Sequence, residues 1–170
     1  MIAETDRLLI SEFSVEDAPF FLELVNTPKW LKFIGDRKIH TIEQAEDRIK
    51  QGHLDSYKTH GFGFYKLLLK SEGNKPIGTC GFVKRVTLEH PDIGFAMLPD
   101  YEQKGFGYES AAKLLDLADS KFNLKTVLGI TLPNNEASIK LLEKLGLTYQ
   151  RLINPFDDDK ELMLFQKIIQ

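Results

Sequence analysis

The chain has one cysteine in 170 residues, Cys80, so no disulfide can close within it and no paired-thiol chemistry is available. Its apolar runs stop far short of the ~20 residues needed to cross a bilayer, and the stretch 65–69 is itself broken by Lys66. The first residues also lack the basic-then-apolar layout of a secretory signal. A reducing, cytoplasmic setting without a membrane partner is therefore expected. Basic residues are not in excess: 22 Lys and Arg stand against 25 Asp and Glu, for a formal charge of -3. Broad phosphate neutralisation needs clustered cations, so no nucleic-acid partner is expected, and the acidic balance leans slightly toward cationic partners. The four histidines, His40, His53, His60 and His90, lack the short paired spacing of metal sites, and no metal is expected. Neither a Gly-x-Ser-x-Gly elbow nor the phosphate loop of nucleoside-triphosphate hydrolases is present.

The composition is 42% apolar and 28% charged, ordinary for a globular protein. The length can bury a core without staples, and a single domain over 1–170 is expected. Residues 7–13 read as a strand. Ser14 with Asp17 opens an amphipathic helix through Phe20, Phe21, Leu24 and Val25, and Thr41 with Gln44 opens a second through Ala45, Ile49 and Leu54. Residues 30–35 connect the two. Residues 64–69 and 77–86 form a hairpin across the turn cluster 71–74. A strand at 92–98, a loop at 99–107 and a helix at 108–122 follow. A strand at 126–131 precedes a helix carrying Ile139, Leu142 and Leu145 on one face, ended by Gly146. Strands at 147–153 and 162–169 close the chain. This order predicts an α+β or α/β fold: a mixed central sheet of about seven strands with helices on both faces.

The strand–loop–helix at 92–122 carries the chemical signal. Gln103, Lys104, Gly105, Phe106, Gly107 and Tyr108 lead into a helix whose N-terminal amides and dipole favour an anion, and the two glycines permit close approach of a ligand. By itself the Gly-x-Gly pattern is equally compatible with a tight turn. The dinucleotide fingerprint is not met, because Ser110 stands where a third Gly or Ala is needed.

Two blocks together are more specific. Asp92-Ile93-Gly94-Phe95, Leu98-Pro99-Asp100-Tyr101 and Lys104-Gly105-Phe106-Gly107-Tyr108-Glu109-Ser110-Ala111, followed by Asn135-Glu136-Ala137-Ser138-Ile139-Lys140-Leu141-Leu142-Glu143-Lys144-Leu145-Gly146-Leu147, resemble the acetyl-CoA-binding core of the GNAT superfamily. The likeness is greatest to the branch that contains ribosomal-protein N-terminal acetyltransferases, and it covers nearly the whole chain. It implies an acetyl-CoA-dependent N-acetyltransferase that uses acetyl-CoA as cosubstrate and an amine as acceptor, working as a monomer or homodimer.

The resemblance also implies residue roles. The amides of Gln103, Lys104, Gly105, Phe106, Gly107 and Tyr108 would hold the pyrophosphate. Backbone groups near Met97 and Leu98 would meet the pantetheine and the oxyanion, and Asn135 would contact the pantetheine arm. Trp30 and Phe33 would form an acceptor wall, or else belong to the core. Two departures stand out. Glu102 occupies a position where the superfamily pattern has Gln or Arg, and is expected to turn toward solvent. Leu142 occupies the place of a Tyr that reprotonates the thiolate; likeness to the ribosomal-protein branch implies Ser138 as the candidate acid instead, with a water or Tyr149 as alternatives, unless its hydroxyl merely satisfies a helix carbonyl. From its place at the start of the core strand, and not from the resemblance, Asp92 is nominated as general base, with Glu89, His90 or a water chain as alternatives. Asp157, Asp158 and Asp159 could draw a cationic amine or simply form a solvated turn. Cys80 reads as a small core residue, so direct attack is expected. A binding module that holds acetyl-CoA without turnover is the competing reading, separable by whether coenzyme A is released in the presence of amines.

Overall fold

The computed structural model describes all 170 residues, Met1–Gln170. Eight strands form one sheet in the order β1-β2-β3-β4-β5-β6-β8-β7. They are β1 Ala3–Glu4, β2 Leu8–Glu12, β3 Phe64–Leu69, β4 Lys75–Val83, β5 Asp92–Met97, β6 Thr126–Thr131, β7 Thr148–Ile153 and β8 Leu162–Ile168. The helices are α1 Ala18–Val25, α2 Ile42–Arg48, α3 Asp55–His60, α4 Phe106–Asp116 and α5 Glu136–Lys144. The mixed α+β class expected from the sequence is the one observed. The extra strand is β1, too short to show a period, which pairs Ala3 with Ile10 and Glu4 with Leu9.

Other differences lie at element ends. The second helix passes through a π-helical segment, Ile49–Leu54, and resumes as α3. The helix after the glycine loop stops at Asp116, and residues 117–122 continue as turns that still bury Ala118 and Phe122. Residues 84–86 leave the sheet, because β4 ends at Val83.

Period-2 alternation puts helices on both faces of the sheet. On β3, Lys66 pairs with Asp17 of the turn entering α1, at 2.8 Å. The neighbouring residue Tyr65 lies opposite Cys80 and therefore faces the other way. That face meets α4, where Ser110 is fully buried and donates back to the Phe106 carbonyl at 2.8 Å, and complete burial raises the pKa of the Cys80 thiol to about 12. The core joins both layers through Leu8, Ile10, Phe13, Leu67, Ile77, Phe82, Leu114 and Phe165, each at most 2% exposed.

Candidate active site

The sheet opens at one place. β5 and β6 are its only parallel neighbours, and they pair only at Asp92 and Leu128, with Leu128 N–H donating to the Pro91 carbonyl at 2.9 Å. Beyond that point the strands share no ladder, so β5 presents a free backbone edge inside the sheet. Alternation of the antiparallel β4–β5 ladder determines which residues face it. Leu98 N–H donates to Ile77 O at 2.8 Å, so Leu98, Ala96 and Gly94 bond toward β4, while Pro91, Ile93, Phe95 and Met97 direct their backbone groups toward β6. Of the two residues the resemblance nominated here, Met97 faces the opening, whereas the Leu98 amide is engaged with β4.

At the top of this opening lies the glycine loop. Gln103 and Gly105 take left-handed dihedrals, with φ of 59° and 83°, and Gly105 is the N-cap of α4. A β-carbon at Gly105 would lie in strained backbone and 3.2 Å from the Arg7 guanidinium. The first amide of this region to find a partner is Glu109 N–H, on Gly105 O at 3.0 Å. No backbone or side-chain acceptor within the chain takes the N–H groups of residues 103–108. Any helix leaves about four amides free at its start; here the left-handed turns extend the run to six. Residues 103–105 and Tyr108 are exposed, Gly107 is half-buried and Phe106 is buried, so most of the run lies at the surface, where a ligand can reach it. The helix dipole adds partial positive charge at the same place.

The loop is held from two sides by residues that sequence reading did not pick out. Arg7, just before β2, donates from Nε to Glu109 Oε1 at 2.8 Å and from a terminal nitrogen to Lys104 O at 3.0 Å, with its guanidinium carbon 4.2 Å from the Phe106 ring centre. Lys29 binds Glu102 at 2.7 Å. Glu102 is thus neutralised by a cation from the α1–α2 connection, and its side chain is only 22% exposed. The expectation of a solvent-facing Glu102 is replaced by this ion pair, which ties the connection bearing Trp30 and Phe33 to the glycine loop.

α5 flanks the opening. Asn135 caps it, with Oδ1 accepting from Ser138 N–H at 3.3 Å, which leaves the Asn135 amide nitrogen without a partner. Ser138 is half-buried in the first turn, and its hydroxyl makes no hydrogen bond within the chain, so it does not satisfy a helix carbonyl as mid-helix serines often do. One turn further on, Leu142 is 1% exposed and packs against Gly129 of β6, where an added β-carbon would meet it at 2.7 Å. Leu141 lies beside Gly107 in the same way, at 3.1 Å. The free edge, the glycine loop, Asn135 and Ser138 therefore border one region.

At the closed end of the opening sits Asp92, its side chain 3% exposed and paired with Arg85 Nε at 2.8 Å. Burial raises its carboxyl pKa to about 6, against the opposing pull of Arg85. The guanidinium of Arg85 lies 5.2 Å from the Phe156 ring centre, on the β7–β8 loop. Register places Asp92, Leu128, Gln166, Leu164 and Arg151 on one sheet face, and a cavity of about 220 Å³ lined by Glu89, His90, Leu128, Arg151, Leu164 and Gln166 opens there. Asp157, Asp158 and Asp159 are exposed on the adjoining loop. Trp30 and Phe33 fall in a π-helical turn, Trp30–Ile34; both are half-buried, and Trp30 packs on the core with its indole N–H unpartnered. A larger cavity, about 510 Å³, lies away from the opening among Tyr108, Asp116, Leu145 and Lys167. It shares only Tyr108 with the site, and the unpartnered amides rather than the larger volume identify where an anion would bind. No group of three or more His, Cys, Asp or Glu is arranged to hold a metal, and no helix is long and apolar enough to cross a membrane.

Comparison with known proteins points the same way. The family model described as "Acetyltransferase (GNAT) domain" matches residues 7–148. The uncharacterised N-acetyltransferase p20 of Bacillus licheniformis is 27% identical over 158 residues, 92% of this chain and 87% of that protein. Among solved structures, the RimL ribosomal L7/L12 alpha-N-protein acetyltransferase in complex with coenzyme A superposes with a TM-score of 0.84 at 15% identity, covering 99% of this chain and 97% of that one. The ribosomal-protein-S5-alanine acetyltransferase from Vibrio fischeri gives 0.81 at 19%, covering 98% and 96%. At these identities the structural likeness establishes the fold.

Proposed function

The chain belongs to the acetyltransferase (GNAT) domain family, and from that premise we propose that it binds acetyl-CoA on the loop 103–108 and transfers the acetyl group directly to a primary amine, either a protein N-terminus or a small-molecule amine. One observation carries the reading: six consecutive unpartnered amides stand at the mouth of an opening between two parallel strands. A pyrophosphate matches the first feature and an extended pantetheine arm the second, since the arm can pair with a free strand edge.

Bound acetyl-CoA supplies an activated acyl carbon, which the amine attacks to give a tetrahedral oxyanion that collapses to an amide and a thiolate. The residues then divide the work. Amides 103–108 hold the diphosphate, and Asn135, through its free side-chain nitrogen, and the edge groups of Phe95 and Met97 orient the arm. A backbone N–H on this edge is the group available to stabilise the oxyanion. Ser138, whose hydroxyl is uncommitted, is the proposed donor to the thiolate, directly or through water, because Leu142 has no proton to give. Asp92 is the proposed acceptor of the amine's proton. Ionised above about pH 6, it can take that proton near neutrality once Arg85, itself 26% exposed, moves aside. Trp30, Phe33 and the acidic turn 157–159 are the proposed borders of the acceptor site.

Cys80 is not part of this scheme. With its pKa raised to about 12 by complete burial, it stays a thiol and is a poor nucleophile. The buried leucine at position 142 favours one competing reading, a domain that holds acetyl-CoA without turning it over. The test is thiol release from acetyl-CoA across a panel of N-terminal peptides, polyamines and amino sugars, with the acetylated product identified by mass. Release with an amine, and a product heavier by one acetyl group, supports transfer; tight binding with no release from any amine would favour the non-catalytic domain.

A further inference from the structure

We propose that Arg7 is a positioning residue for the acetyl-CoA site: by holding the Lys104 carbonyl it aims the Gly105 amide at the diphosphate. The proposal rests on the reading that loop 103–108 binds acetyl-CoA. Its warrant is the planarity of the peptide unit. The carbonyl of residue 104 and the N–H of residue 105 belong to one trans peptide and point in opposite directions. An acceptor bond that draws Lys104 O to one side of the loop fixes Gly105 N–H on the other, and Arg7 makes that bond at 3.0 Å.

Arg7 is held in place for this. Its Nε donates to Glu109 Oε1 at 2.8 Å, its own backbone N–H donates to Glu109 Oε2 at 3.1 Å, and Thr5 Oγ1 donates to the same oxygen at 2.6 Å. Burial works against charge on Glu109, but these hydrogen bonds and the Arg7 charge outweigh it and lower the pKa of the carboxyl. The carboxylate therefore stays ionised as the anchor of the cluster. Phe106, the first residue of α4, supports the flat face of the guanidinium. The planar fork matters: one arm takes the carboxylate and the other the carbonyl. A lysine ammonium has no fixed fork with which to reproduce both bonds. Because the Arg7 charge is matched by Glu109, its contribution is directional rather than a bare cation offered to the ligand.

The arrangement ties the entry to strand β2 to the loop, though the two are almost a hundred residues apart in sequence. A left-handed Gly105 can satisfy the cradle only if its peptide plane does not rotate. Nothing else in the chain bonds the Lys104 carbonyl.

The experiment measures the affinity of acetyl-CoA and of S-acetyl-pantetheine, which lacks the diphosphate, for wild type, Arg7→Lys and Arg7→Met. Calorimetry serves for the first ligand, chemical-shift titration for the second, and thermal melts run in parallel. Loss of an oriented amide–phosphate bond, which is charge-assisted, should weaken acetyl-CoA by about tenfold or more in both variants. Affinity for S-acetyl-pantetheine should change less than twofold. Arg7→Lys keeps the stem and charge, so it carries the test if Arg7→Met does not fold. Equal losses for the two ligands would mean general distortion and overturn the proposal, as would unchanged acetyl-CoA affinity in Arg7→Lys. Failure of the wild type to bind acetyl-CoA at all would instead overturn the reading of the loop.

Discussion

Replacing Gly105 by valine tests the loop where its geometry is least forgiving. The position has φ of 83°, a left-handed conformation that costs an L-residue roughly 1–2 kcal/mol and a β-branched one at least the upper figure. The added β-carbon would also lie 3.2 Å from the Arg7 guanidinium, tighter than ordinary packing. The chain can respond in two ways. If the loop keeps its shape, the strain appears as lost stability, a fall in melting temperature of roughly 2–4 °C per kcal/mol for a chain of this size. If the loop relaxes, the amides lose their common aim, and each 1.4 kcal/mol lost costs about tenfold in affinity. Relaxation is the expected course, because residues 103–105 are exposed and the group held against them, the Arg7 guanidinium, is on a side chain that is itself exposed. Calorimetry with acetyl-CoA should therefore show a dissociation constant raised at least about tenfold, with only a few degrees lost in melting temperature. Gly107→Ala is the comparison. Gly107 has no positive φ, and its β-carbon would meet only the tip of Leu141 at 3.1 Å, so its loss should be several times smaller. A folded Gly105→Val protein with wild-type affinity would refute the assignment of the loop.

Three further outcomes are expected. With an acceptor found, Ser138→Ala should lower kcat by ~100-fold with little change in the KM for acetyl-CoA, whereas Asn135→Ala should act mainly on that KM; full kcat in Ser138→Ala across pH would direct attention to water or Tyr149. Glu102→Gln should tighten acetyl-CoA binding a few-fold at low salt, and Lys29→Ala should weaken it, both effects shrinking in high salt as screening requires; an unchanged affinity in both would remove the ion pair from the site. Stability against pH should show two opposed contributions. Asp92 has a folded pKa of about 6 against an ordinary 3.8, so its contribution is present at low pH and lost, on the order of 3 kcal/mol, as pH rises through that window. His53, lowered to about 4 by burial and by Arg48, contributes stability above pH 6.5 that is lost as pH falls toward 4. Relative to wild type, denaturant titrations of Asp92→Asn should show stability rising more steeply with pH between 4 and 6, and those of His53→Gln should show it rising less; parallel curves would contradict the assignment.

Much of the fold was legible because its signals are local. The capping pairs Ser14 with Asp17 and Thr41 with Gln44 form as read, and Gly146, with φ of 91°, ends α5. The π-helical segments at Trp30–Ile34 and Ile49–Leu54 were not legible, since hydrophobic spacing does not distinguish them from turns of α-helix or from loop. The loop 103–108 could be located from its glycines and the helix that follows. What the sequence could not convey is how tertiary partners complete it. Arg7, Glu109 and Thr5 meet only after β2 and α4 pack together, and Lys29 reaches Glu102 from an element some seventy residues earlier. Asp92 could be named as a carboxylate at the start of β5, but its burial and its bond to Arg85 depend on the β4–β5 connection folding back. No local pattern encodes the contacts of Arg7 and Lys29, because their partners are far away in the chain, and no helix or strand period announces the pairing of Arg85 with Asp92 across the β4–β5 connection.

The most direct test of the central claim is an amide chemical-shift titration of the isotopically labelled protein with acetyl-CoA. The account predicts that the largest changes fall on the amides of residues 103–108, on the β5 edge at Phe95 and Met97, and on Asn135 and Ser138, while β1 and the far end of the sheet stay still. Changes centred instead on Asp116, Leu145 and Lys167 around the larger cavity, or no changes at all, would contradict it.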